Sequence, residues 1–116
     1  MQSVNLIADA RFADDKPQTL HAVKTDQLLI EGMYLKGAQK TGWRKHPDAD
    51  RAYVCVQGGG ELVLETSAAG NELRIPLGPG AVALAPRGVF HDLIAGPSGM
   101  VCAAQSRFPV RVVEKG

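Results

Sequence analysis

The sequence runs to 116 residues, 45% of them apolar and 22% charged, with a formal net charge of +1 at pH 7. A single domain spanning 1–116 is expected, long enough to bury a core without disulfides or metals as staples. Near-neutral charge and 5% aromatics leave neither the basic footprint nor the stacking surfaces of a nucleic-acid binder.

The opening MQSVNLIADARFADD lacks the basic start and apolar run of a secretory signal. It reads as an edge strand plus a loop or short helical turn. No stretch approaches the ~18 apolar residues of a membrane span, so a soluble, cytoplasmic protein is expected. Leu20 to Val23 and LLIEGMYL from Leu28 to Leu35 read as strands. A loop over Gly37 to Gly42 leads into a short extended piece, Trp43 to His46, which ends at Pro47. Ala52 to Val56 is apolar and strand-like, and Gly58-Gly59-Gly60 marks a turn or bulge.

Glu61 to Thr66 alternates Leu62 and Leu64 inward with Glu61 and Glu65 outward. Ala68 to Asn71 then closes a hairpin, and Glu72 to Leu77 returns with Leu73, Ile75 and Leu77 on one face. In GAVALAPRGVFH, Gly80 to His91, Val82 and Leu84 alternate with small residues, which suits a pleated, buried segment. Pro86 and Gly88 force a turn there, and His91 opens the next strand. His91 to Ala95, Met100 to Ala104 and Val110 to Val113 complete about ten short strands, with no helical period among them. Thirteen glycines and seven prolines between short apolar runs fit an all-β sandwich or barrel. Cys55 and Cys102 both lie in apolar runs and read as buried free thiols.

Two stretches together resemble the cupin superfamily, specifically its small single-domain members. That family's second motif reads G, five residues, P-x-G, two residues, H, three residues, N. Gly80, Pro86, Gly88 and His91 fall on it, and Ala95 stands at the asparagine position. The first motif reads H-x-H, three or four residues, E, six residues, G. His46 matches the second histidine and Gly58 the glycine, while Arg44 and Arg51 occupy the first-histidine and glutamate positions. The resemblance covers about 28–104. It implies a cupin-type jelly-roll, or double-stranded β-helix, of two antiparallel sheets, often dimeric, with a pocket in the barrel. In metal-binding relatives three histidines and a glutamate hold a divalent ion, and this chain departs at two of those four positions.

The substitutions change the chemistry expected of the pocket. Two imidazoles, His46 and His91, fall short of the three protein ligands usual for a catalytic ion such as zinc. His21 is a third histidine, but no motif places it with them. Asp50 is a carboxylate one residue out of register with Gly58, so Arg51 takes the inward slot. Two guanidiniums near a dication cost on the order of several kcal/mol at an effective dielectric near 20, whereas arginine binds carboxylate or phosphate in a two-pronged fork. Tyr53 and Cys55 share the alternation face of Arg51.

The expected ligand-binding set is therefore Arg44, His46, Arg51, Tyr53 and His91, receiving a small anionic, carboxylate-type organic molecule without a tightly held metal. His46 or His91 would serve as acid or base in any chemistry there. One alternative is a metal-dependent cupin enzyme of dioxygenase or isomerase type, with His46 and His91 as ligands of a divalent metal ion. Another is a non-catalytic sensor or dimerisation module. The resemblance implies a homodimer; neither nucleic acid nor membrane is an expected partner.

Overall fold

The computed structural model of the chain describes residues 2–66 and 70–115. Eight strands carry the fold: β1 Gln18–Lys24, β2 Leu28–Leu35, β3 Arg44–Lys45, β4 Arg51–Glu65, β5 Glu72–Leu77, β6 Val82–Ala85, β7 His91–Arg107 and β8 Val113–Glu114. The N-terminal stretch forms a turn near Leu6 to Asp9 and no strand. Ala68 and Ala69 of the expected hairpin turn lie outside the described residues. None of the described residues forms a helix long and apolar enough to cross a membrane.

The strand count falls from about ten to eight because β4 and β7 each run through what the sequence reads as two strands. They pair antiparallel along their length, from Ala52↔Gln105 to Leu64↔His91, with register shifts between Cys55 and Gln57 and between Gly58 and Gly60. Those bulges curl the pair, so each strand serves both sheets of a jelly roll. At one end the order is β1-β2-β7-β4-β6, and at the other β5-β4-β7-β3-β8. All pairings are antiparallel. The all-β, double-stranded helix expected from the motifs is the fold observed.

Glycine makes the curl sterically possible. Gly58 has φ +71°, and a Cβ there would lie 2.2 Å from the carbonyl oxygen of Gly99. A Cβ on Gly60 would come within 2.0 Å of the Ile94 carbonyl oxygen. Neither obstacle is a side chain that could rotate away. Gly60→Ala is therefore expected to destabilise the barrel by about 2 kcal/mol, read as a lower urea midpoint with unchanged slope.

Between the sheets lies a core that includes Leu35, Leu62, Leu93, Met100, Cys55 and Cys102, each almost wholly buried. Side chains of this kind contribute ~1.5–3 kcal/mol apiece when fully buried. The two cysteines are free thiols, and burial beside Cys55 pushes the Cys102 thiol well above its ordinary range. Leu62 and Leu64 point inward as the alternation requires, but Leu73, at the open end of β5, is 52% exposed.

The segment expected to be buried is buried on one face only. On β6, Ala83 and Ala85 are buried, whereas Val82 is 67% and Leu84 48% exposed. The register explains it: Ala83 pairs with Tyr53 and Ala85 with Arg51. Those two large side chains fill the inner face, leaving room there for methyl groups alone.

Candidate functional site

A cavity of about 330 Å³ lies against β1, β2 and the first half of β4, next to the segment that follows β7. Arg44, His46, Arg51 and Tyr53 line it, joined by Thr19, His21, Leu29, Glu31, Met33, Thr41, Phe108, Val110 and Val112. His91 stands behind this lining. It is 1% exposed, and its ring stacks on His46 with centroids 5.3 Å apart at 28°. The two motif stretches thus meet, as the sequence implied. A second hollow of about 360 Å³, lined by Phe12, Gln57, Gly58, Ser98, Gly99, Met100 and Val101, carries no titratable side chain.

Local hydrogen bonding sets these side chains in place. The loop before β3 is pinned by Asp92, whose carboxylate accepts from Gly42 N–H at 3.0 Å and from the Thr41 hydroxyl at 3.3 Å. Thr41 N–H in turn donates to Leu93 O at 3.0 Å. This anchors Arg44, which pairs across the ladder with His91. On β4, strand alternation turns Arg51, Tyr53 and Cys55 inward, all at most 4% exposed. Asp50 faces away and accepts from Arg87 N–H at 2.9 Å. The register of this loop is thereby fixed with Arg51 inside.

His91 has both ring nitrogens engaged. Nδ1 lies 3.0 Å from the carbonyl oxygen of Val89, which only accepts, so Nδ1 carries the proton. Nε2 then accepts from the Tyr53 hydroxyl at 3.1 Å. His46 differs, since its buried Nδ1 has no partner among the described residues. Burial, the Arg51 and Arg44 guanidiniums and the neighbouring His91 lower the His46 pKa to about 4. Burial also lowers that of His91 and raises that of the Tyr53 phenol. Both imidazoles are neutral at pH 7.

The two arginines are not equivalent. Arg51 Nη2 donates to Glu31 Oε1 at 2.5 Å and Nη1 to Ser106 Oγ at 3.3 Å. Glu31 Oε2 in turn lies 2.9 Å from Nε2 of His21, whose side chain is 61% exposed. The charge of Arg51 is therefore cancelled within the protein. Arg44 Nη2 donates to Thr41 O at 2.5 Å, but its buried Nε finds no acceptor among the described residues. No carboxylate among the described residues pairs with it.

Glu31 is a site residue that sequence reasoning passed over. Its signal is an acid on the alternation face it shares with Leu29 and Met33, inside an otherwise apolar strand. The C-terminal lining residues Phe108, Val110 and Val112 carried no comparable signal. His21, set aside in the sequence, lines the cavity through its bond to Glu31.

The donor set does not fit a divalent ion. The two imidazoles lie face to face instead of converging on a point, His91 has no free nitrogen, and two guanidiniums share the space. Among the described residues no three histidine, cysteine, aspartate or glutamate side chains cluster as ligands would.

No family model and no curated protein matches the sequence. Solved structures do match. An RmlC-like cupin protein from Desulfovibrio desulfuricans is 25% identical, with 92% of this chain and 96% of that one superposed at a TM-score of 0.79. A Klebsiella pneumoniae protein with a double-stranded β-helix domain, 14% identical, covers 96% of this chain and 88% of its own at 0.83. An oxalate oxidase in complex with the substrate analogue glycolate, 11% identical, matches 95% of this chain and 61% of its own at 0.79. With its paired histidine motifs carried on a double-stranded β-helix, the chain has the fold of the small cupins.

Proposed function

We propose that this cupin-fold chain binds a small carboxylate in the Arg44 cavity, without a resident metal ion. Arg44 carries the reading: among the described residues its guanidinium has no carboxylate partner and its buried Nε no acceptor. Beside it the His46 Nδ1 is also unpartnered. A carboxylate would give the Arg44 guanidinium the counter-charge it lacks. Arginine presents donors in the planar fork that matches a carboxylate. The oxalate oxidase neighbour shows a barrel of this fold holding glycolate, itself a small carboxylate.

Binding is favoured over acid–base catalysis by the pKa of His46, about 4 in the free protein. A general base works best with a pKa near the operating pH. A bound anion would offset the arginine charges and draw that pKa upward.

Thermal shift with acetate at pH 7 tests the reading. Saturation at about 100 times Kd should add about 2.7 kcal/mol of stability, and Arg44→Ala should abolish the shift. A shift that survives in Arg44→Ala would refute the assignment. Elemental analysis of protein purified without chelator tests the second half. Stoichiometric metal lost in His46→Gln would instead establish the metal-dependent alternative.

A further inference from the structure

The cavity has two chemical halves, and their contrast narrows the ligand further; the inference rests on the carboxylate reading above. The charged groups facing the cavity are Arg44, Arg51 and Glu31, with His21 and His46 beside them. Arg51 and Glu31 cancel each other across 2.5 Å. His46 is neutral at pH 7. One positive charge, that of Arg44, is left uncompensated.

The remaining lining is largely hydrocarbon. Leu29 and Met33 contribute from β2, and Phe108, Val110 and Val112 from the segment between β7 and β8. A volume of about 330 Å³ is at the low end for ligand pockets. A ligand with one anionic end satisfies Arg44 and removes apolar surface from water along the rest of its length. Within this cavity a second anionic group has no cation left to meet, since Lys16 and Lys40 line the adjoining hollow instead; it would face either the Glu31 carboxylate or the hydrocarbon wall, and both are unfavourable.

We infer that the cavity selects monocarboxylates bearing a short hydrocarbon tail and rejects dicarboxylates and phosphate. Arg44 reads the charge, Glu31 enforces the limit of one, and the C-terminal segment receives the tail. Glu31 thus has a role in specificity besides holding Arg51.

Calorimetric titration at pH 7 and constant ionic strength tests this, with acetate, butanoate and hexanoate set against succinate and inorganic phosphate. Kd should fall about fourfold for each methylene buried. Succinate should bind about tenfold more weakly than butanoate, or worse, because its second carboxylate goes unpaired. Val110→Ser should flatten the dependence on tail length, with an unchanged urea slope showing that the half-buried position leaves the fold intact. Succinate or phosphate binding as tightly as hexanoate, or a Kd independent of tail length, would overturn the inference while leaving a carboxylate site intact. Failure of every probe to bind, or equal binding in Arg44→Ala, would overturn the carboxylate reading itself.

Discussion

Glu31→Gln is expected to lower the unfolding free energy by about 3 kcal/mol, because it strands a buried guanidinium without its counter-charge. Arg51 is 4% exposed and bonds Glu31 at 2.5 Å; without that carboxylate it keeps the Ser106 hydroxyl at 3.3 Å and a Tyr53 ring whose centroid is 5.8 Å away. Neither neutral group balances a charge removed from water. The double variant Glu31→Gln with Arg51→Met removes both charges and should recover most of the loss, since apolar replacement of a buried pair is often near neutral. Urea midpoints of the single and double variants at pH 7 decide the matter. If Glu31→Gln costs under about 1 kcal/mol, the pair is solvated and the account of the cavity's charge fails.

The second large effect is acid lability with its origin in His46. The folded pKa is about 4 against an ordinary 6.5, so between those values the unfolded chain holds a proton that the folded chain does not. Stability then rises with pH through this window and is fully present above 6.5. As pH falls it drains away, roughly 3 kcal/mol in all and about 2 kcal/mol of that by pH 5. His91, shifted in the same direction by burial, adds to the trend. Comparing urea unfolding at pH 7.5 and pH 5 in the native chain and in His46→Gln isolates the contribution. The native chain should lose the larger share, and an equal loss in both would assign the effect to other groups. Exposed carboxylates held low by ion pairs, such as Asp48 with Arg111, act only at more acid pH.

How far the sequence leads can be seen residue by residue. Alternation along β4 turned Arg51, Tyr53 and Cys55 to one side, and spacing to Gly58 chose Arg51 over Asp50. Both inferences depend only on neighbours in the chain, which is why they hold in the structure. The meeting of His46 with His91 was legible through the paired motifs and not from either stretch alone. The direction of β6 was not legible. Period two identifies two faces but not which is inner, and that was decided by Arg51 and Tyr53 on the strand alongside. Nor could the sequence show that Glu31 would neutralise Arg51, because the pairing joins residues from strands that are not adjacent in the chain. The cavity's net charge is a property of the tertiary fold.

The long β4–β7 ladder also bears on how quickly the molecule is made. Leu28 pairs with Arg107 and Ala52 with Gln105, so the central strands join parts of the chain far apart in sequence. Closing such loops loses entropy before any contact repays it, and topologies of this kind fold over milliseconds to seconds. The hollow forms only once that slow closure is complete, so a carboxylate bound as proposed would meet its site after the rate-limiting search is over. Such a ligand would slow unfolding without hastening assembly.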